Sequence, residues 1–230
     1  MIPIGDDQVR GGRPPIVNWA LVAICTVAFV YELTLGEAGV ERLFQLYGVV
    51  PAAVMQGEGL LGLLTSIFLH GGWMHLIGNM LFLLVFGDNI EAVLGHIGYL
   101  LFYLLGGLAG GAAQILAAPG SEVPVIGASG AIAAVLGAYI VMFPKSRVRA
   151  LVILGLFFTV TRVRAVFFLG VWIVIQLLSG IASLGAGATT AGMGGVGWFA
   201  HIGGFVFGLA VGALLRGRAR RLEYRVYRAQ

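Results

Sequence analysis

The chain has 230 residues, of which 59% are hydrophobic and 10% are charged, and its mean hydropathy is +0.98. Such a chain has too little polar surface to cover a soluble globule, so the composition predicts a multi-pass membrane protein. The net charge of +4 does not indicate nucleic-acid binding, because the basic residues collect between and after the apolar stretches, as the positive-inside rule predicts.

Six apolar stretches approach the roughly 20 helical residues that a hydrocarbon core of about 30 Å requires. They predict an all-α membrane protein, a bundle of six transmembrane helices that forms a single domain over residues 1–230. The spans are expected at about 16–34, 73–87, 95–117, 127–143, 166–183 and 197–215. The first span is long and lacks a clear cleavage site, so we expect it to be retained. Its single cysteine, Cys25, is interpreted as a packing residue and leaves no internal disulfide.

Two apolar pieces are too short to cross. The long connection 35–72 contains "GLLGLLTSIFLH", and the connection after the fourth span contains "ALVILGLFFTV". We expect both pieces to lie in the membrane interface.

The distribution of basic residues predicts that both termini are cytoplasmic. Only Arg42 falls on the opposite side, whereas the cytoplasmic positions are Arg10, Arg13, Lys145, Arg147, Arg149, Arg162, Arg164, Arg216, Arg218, Arg220, Arg221, Arg225 and Arg228. The basic C-terminal tail is interpreted as a topology anchor, and binding of anionic lipid headgroups is the alternative.

The last span carries glycines at four-residue spacing, at Gly204, Gly208 and Gly212. Small residues at this spacing let two membrane helices approach closely. The pattern therefore predicts that the sixth span packs tightly against a neighbour.

Four polar residues within the spans are candidates for function, because such residues are costly in a membrane. They are His75, Asn79, Ser129 and His201. The spans carry essentially no acidic residue apart from Glu32, which argues against a proton pump or a carboxylate ion site. The histidines show no His-Glu-x-x-His pattern, so we expect neither a metal nor another cofactor.

Depth brings these candidates together. Spans two, four and six run in the same direction, and Ser129, His201 and His75 each fall shortly after the outer start of their span, roughly 3–10 Å below the surface. A serine needs a base within hydrogen-bond reach, so we interpret Ser129 as nucleophile and His201 as base. Asn79, His75 and the backbone N–H of Ser129 are expected to stabilise an oxyanion. Taken singly, each residue also has a structural interpretation. The serine could be a packing residue, the histidines could have a structural role, and the asparagine could form a contact between helices.

Three motifs in this order resemble the rhomboid intramembrane serine proteases: "HGGWMHLIGN" (70–79), "GASG" (127–130) and "AHIGGFVFG" (200–208). The resemblance implies a Ser129–His201 dyad, oxyanion donors at His75 and Asn79, and supporting roles for His70, Gly127 and Gly130. Many members carry Trp-Arg before the segment "LLTSIFLH", where this chain has "GLLG". Many also carry a tyrosine at the position of Ala133, stacked on the histidine, so we expect support from Phe199 or Phe205.

The resemblance also implies that the substrates are membrane proteins cleaved in or next to a transmembrane helix. The fifth span, with Phe167, Phe168 and Trp172, and the following loop "SLGAGATTAGMGGVG" are expected to form a lateral gate and lid. The site is expected to open to the outer face of a membrane, which the compact layout suggests is a bacterial plasma membrane. The alternatives are an inactive, derlin-like binder of transmembrane clients and a small-solute channel or transporter. No repeat or continuous polar path favours the channel.

Overall fold

The computed structural model describes residues 1–7, 14–154, 157–185 and 197–228 of the chain. The helices are α1 (Ile16–Thr34), α2 (Glu37–Tyr47), α3 (Pro51–Met55), α4 (Gly62–Thr65), α5 (Trp73–Leu94), α6 (His96–Ala117), α7 (Ser129–Met142), α8 (Ala165–Gly185) and α9 (Trp198–Arg228), with a 3-10 helix at Ser66–Phe68. The strands are β1 (Ile2–Asp6), β2 (Arg147–Leu154) and β3 (Phe157–Arg164).

Five of these helices, α1, α5, α6, α8 and α9, are long and apolar enough to cross a membrane. The fourth predicted span, 127–143, forms α7, which has 14 residues and a length of about 21 Å. This length is shorter than a hydrocarbon core of about 30 Å, so the described residues contain five helices of spanning length and a short helix at the position of the fourth predicted span. Because 11 of its 14 residues are buried, α7 is the central helix and its neighbours cover it on all sides.

Helix α5 is longer than predicted and continues past Asp88 to Leu94, where Gly95 with φ of 75° separates it from α6. Glu91, which lies between the predicted spans 73–87 and 95–117, is 2% exposed. Its carboxylate accepts hydrogen bonds from the backbone amides of Val17 at 3.0 Å and Asn18 at 2.8 Å, and contacts the His96 ring. The Glu91 carboxylate thus satisfies two free amides at the start of α1, and these hydrogen bonds offset the cost of burying it.

Helices α7 and α9 contact each other through their backbones, which confirms the predicted packing of the glycine stripe. A Cβ added at Gly204 would lie 2.0 Å from the carbonyl oxygen of Gly130, and one at Gly208 would lie 2.0 Å from that of Ala134. At Gly212 the nearest atom would be the Cα of Ala138 at 2.9 Å. No side chain larger than hydrogen fits at these positions without separating the helices.

The described residues of the second short apolar piece lie in strands β2 and β3, so the all-α prediction is corrected by a small sheet. Strands β1, β2 and β3 pair antiparallel in this order. Val148 and Ala150 are fully buried, while Arg147 and Arg149, which alternate with them, are exposed, as the two-residue period of a strand requires. Branched and aromatic residues in this piece favour a strand over an interfacial helix.

Strand β1 is held to the bundle through Asp6. Its Oδ2 accepts hydrogen bonds from the Tyr139 hydroxyl on α7 and from Asn89 Nδ2 on α5, the latter at 2.7 Å. Burial raises the pKa of the Asp6 carboxyl to about 7, with further contributions from Asp88 and Asp7, although the hydrogen bond from Tyr139 opposes the shift. The carboxyl of Asp6 therefore gains a proton near neutral pH.

Candidate active site

His75 and Asn79 lie one helical turn apart at the start of α5 and face the backbone of Gly127. A Cβ added at Gly127 would lie 2.6 Å from His75 Nε2 and 3.7 Å from Asn79 Nδ2. Gly127 has φ of 122°, a conformation that glycine adopts without strain, and its amide donates to the Ser66 carbonyl at 2.8 Å. The glycine thus lets two side-chain nitrogens approach the segment that leads into Ser129.

The tautomer of His75 follows from its partner. The backbone amide of Gly71 donates to His75 Nδ1 at 3.3 Å, so this nitrogen presents its lone pair. In a neutral imidazole the proton is then on Nε2, the nitrogen next to Gly127. His75 therefore presents a hydrogen-bond donor on the side of the candidate site.

Asn79 presents a second donor. The residue is 9% exposed, and its Nδ2 has no hydrogen-bond partner among the residues that the structure describes. Buried polar groups are normally paired, so an unpaired amide suggests a ligand or a transient charge as its partner. This geometry suits the predicted oxyanion donor, although helix contact alone would leave the amide in the same place.

Ser129 is the first residue of α7 and is half-buried. It lines a cavity together with Gly127, Gly130, Gly197 and Ala200, while His201 is not part of this lining. The next residue, Gly130, packs against α9, since a Cβ there would lie 3.5 Å from the Ala200 carbonyl oxygen. The backbone beside Ser129 thus contacts the backbone beside His201.

His201 is 8% exposed, and its ring lies between two tryptophans. The ring centroid of Trp172 on α8 is 5.8 Å away at an interplanar angle of 37°, and that of Trp198 is 6.1 Å away at 86°. The expectation that Phe199 or Phe205 supports the imidazole is wrong, because Trp172 packs on the His201 ring and Phe205 packs on Trp172. Trp172 provides a ring surface for the imidazole in this chain, in which Ala133 lies against α9.

The two nitrogens of His201 differ in their partners. Nδ1 lies 2.7 Å from Oε1 of Gln176 on α8, whereas Nε2 has no hydrogen-bond partner among the described residues. The hydroxyl of Ser129 is therefore not bonded to Nε2 in this structure. A dyad would require that contact to close when a substrate binds, which is common for catalytic hydrogen bonds.

Gln176 is the residue that the sequence reasoning missed. It is 6% exposed in an otherwise apolar helix, and a buried amide in a membrane span is itself a signal that could have identified it. The sequence predicts only a role in the lateral gate for the fifth span, which forms α8. In the structure its three gate candidates differ, because Phe168 is buried, Phe167 is 64% exposed and Trp172 packs on His201. The lid loop lies outside the described residues, except for its ends.

His70 supports the site from the connection before α5. Its backbone amide donates to the Glu32 carboxylate at 3.1 Å, and its ring contacts that of His75 at 5.2 Å. Burial, with the neighbouring His75 as a smaller cause, lowers the pKa of His70 to about 4, so the ring is neutral. The described residues contain no group of three or more His, Cys, Asp or Glu side chains placed to hold a metal.

The sequence of this chain is similar to those of several known proteins. A family model described as the rhomboid domain matches residues 57–218. The chain is 32% identical to the rhomboid protease GluP of Bacillus subtilis over 138 residues, which cover 60% of this chain and 26% of that protein. It is 38% identical to the putative rhomboid protease YdcA of the same bacterium over 35% of this chain and 40% of that one. It is 37% identical to the RHOMBOID-like protein 5 of Arabidopsis thaliana over 33% of this chain and 25% of that one. The matched regions thus span well under half the length of these relatives.

Proposed function

The chain belongs to the rhomboid family, and we propose that it is an intramembrane serine protease that hydrolyses peptide bonds in or next to the transmembrane helices of other membrane proteins. One observation carries the proposal. On α9, His201 Nε2 is buried and has no hydrogen-bond partner within the described part of the chain, and the backbone of α9 contacts that of the helix that begins at Ser129. A free, buried imidazole nitrogen beside a helix that begins with serine suits nucleophilic catalysis.

The chemistry assigns a role to each residue. His201 Nε2 takes the proton of the Ser129 hydroxyl as the oxygen attacks the carbonyl carbon of the substrate, and the carbonyl oxygen becomes an oxyanion. His75 Nε2–H, Asn79 Nδ2–H and the backbone N–H of Ser129 donate to this oxyanion. His201 then gives its proton to the leaving amine, which breaks the peptide bond. Water hydrolyses the acyl-enzyme by the same steps and restores Ser129.

The substrate must present an unwound backbone. In a stable helix the carbonyl groups are hydrogen-bonded and the bilayer offers them no other partner, so cleavage requires a segment that leaves the helix. Glycine and other helix-breaking residues near the cleaved bond would ease that step. Membrane proteins with such residues near one end of a span are therefore the proposed substrates.

The proposed orientation has both termini in the cytoplasm and the site towards the outer face. Single cysteines introduced at Glu58 and at Lys145 test it in intact cells, because native Cys25 is fully buried and gives little background. A membrane-impermeant maleimide should label Glu58→Cys from outside, and Lys145→Cys only after permeabilisation. The reverse pattern would overturn the orientation without affecting the chemistry.

Activity-based labelling tests the chemistry. Purified protein in liposomes is treated with a fluorophosphonate probe, and wild type is compared with Ser129→Ala and His201→Ala. The control is Ser183→Ala on α8, whose hydroxyl bonds to the Gly180 carbonyl. We expect labelling of wild type and Ser183→Ala, and none of the other two variants. Folded wild type that stays unlabelled, or a labelled Ser129→Ala, would refute the protease and favour a derlin-like binder of transmembrane clients.

A further inference from the structure

We propose that Gln176 is a positioning residue that fixes the tautomer of His201, with the proton on Nδ1 and the lone pair on Nε2. The inference deepens the proposed function and rests on it, because the lone pair on Nε2 is what a base towards Ser129 needs. No residue of this kind was expected from the sequence, where a dyad held by packing was predicted.

The orientation of the Gln176 amide is fixed by its second partner. Its Nε2 lies 3.3 Å from the backbone carbonyl oxygen of Trp172, one turn earlier on α8. A carbonyl oxygen can only accept, so the NH₂ group of Gln176 faces Trp172 and the amide oxygen faces His201.

The tautomer of His201 follows from this orientation. Oε1 of Gln176 lies 2.7 Å from Nδ1, and an amide oxygen can only accept. Nδ1 must therefore carry the proton, and a neutral imidazole then has its lone pair on Nε2. The chain of contacts runs from the Trp172 carbonyl through the Gln176 amide to the imidazole. Each contact determines the direction of the next.

A neutral amide differs from the carboxylate of a three-residue catalytic triad. An amide orients the imidazole, yet it gives the imidazolium formed during catalysis less stabilisation than a full negative charge would. Helix α8 contains no Asp, Glu, His, Lys or Arg, so it adds no charge near His201. His75 on α5 interacts electrostatically with His201, and on α7 the titratable residue Tyr139 lies ten residues from Ser129.

Two substitutions separate orientation from packing. Gln176→Met keeps the length of the side chain and removes the acceptor, whereas Gln176→Glu keeps an acceptor and adds a charge. Leu178→Met is the matched control on the same helix, because Leu178 is 63% exposed. Fluorophosphonate labelling rates are measured from pH 5 to pH 9 and are compared with the thermal unfolding of each variant.

We expect Gln176→Met to label about tenfold or more slowly than wild type, since the loss of one hydrogen bond to a charged transition state has about this effect. Gln176→Glu should label within a few-fold of wild type at neutral or higher pH. Its acidic limb should move to higher pH, because a carboxylate stabilises the protonated imidazole. Leu178→Met should behave as wild type. Labelling of Gln176→Met at the wild-type rate would overturn the inference. The inference would also fail if both Gln176 variants label more slowly only in proportion to their loss of thermal stability and the pH profile of labelling does not move.

A second readout does not depend on proteolysis. In protein with ¹⁵N-labelled histidine, the nitrogen shifts report which ring nitrogen carries the proton, and His201→Ala identifies the signal. We expect Nδ1–H in wild type and a mixture of tautomers in Gln176→Met. The same tautomer in both would refute the role of Gln176. Wild type that shows Nδ1–H without any labelling would refute the proposed function alone.

Discussion

Replacing Gly204 by alanine tests whether the α7–α9 contact sets the geometry of the site. The added Cβ would lie 2.0 Å from the carbonyl oxygen of Gly130, whereas ordinary contacts begin at 3.4 Å. Relief of this overlap requires the helices to separate by about 1.4 Å at this point, or a comparable local distortion. Overpacking of this kind costs about 1–3 kcal/mol, against a gain of up to about 1 kcal/mol in helix propensity.

The displacement falls next to the proposed nucleophile, because Gly130 follows Ser129. A misplacement of about 1 Å can reduce a rate by about 100-fold, so we expect a loss of that order in fluorophosphonate labelling. The control is Gly217→Ala on the same helix, where an added Cβ meets nothing within 4 Å. Labelling rate and thermal unfolding are measured in the same liposomes. The reasoning is refuted if Gly204→Ala labels and unfolds like Gly217→Ala.

Three further predictions concern other parts of the molecule. Gly127→Ala should reduce labelling at least tenfold, because it strains a positive φ and brings a methyl group within 2.6 Å of His75 Nε2; labelling equal to wild type would argue against an oxyanion site here. Asp6 has a pKa raised to about 7, so its contribution to the docking of β1 is fully present below about pH 4 and is lost as pH rises through 7. The protection of β1 amides, measured relative to the intrinsic exchange rate at each pH, should therefore fall over this range in wild type, and an equal fall in Asp6→Asn would exclude Asp6 as its cause. Glu91→Ala should lower the free energy of unfolding by about 1–3 kcal/mol, because the amides at the start of α1 and the His96 ring lose their partner, and an unchanged denaturation midpoint would contradict this assignment.

The sequence predicted the positions of the long helices well, because hydropathy over 20 residues is a strong signal. The first span was predicted at 16–34, and α1 is Ile16–Thr34. The sequence was less informative where hydrogen bonds between distant polar residues determine whether a residue is buried. Glu91 falls outside the predicted spans, and its hydrogen bonds join residues more than 70 positions apart, which no local pattern records.

The candidate site also contains a part that the sequence predicts and a part that it does not. His75, Asn79, Ser129 and His201 stand out in a sequence because polar groups are rare in spans, and their roles remain predictions. Their surroundings were harder to predict. Gln176 contacts His201, which is 25 positions away in the chain. The ring that packs on the imidazole is Trp172, whereas the sequence predicts a phenylalanine. Which aromatic side chain reaches a ring depends on how α8 is rotated against α9, and periodicity does not specify that rotation.

The contact between α7 and α9 also limits how this protein can change. Where the backbones of the two helices touch, the distance between the helices does not depend on side-chain rotamers. Even one methyl group is too large at Gly204 or Gly208. Substitutions that keep the geometry of the proposed site must therefore fall elsewhere. The exposed surface of α8 offers that freedom, so the molecule joins a centre of fixed spacing to a side that tolerates change.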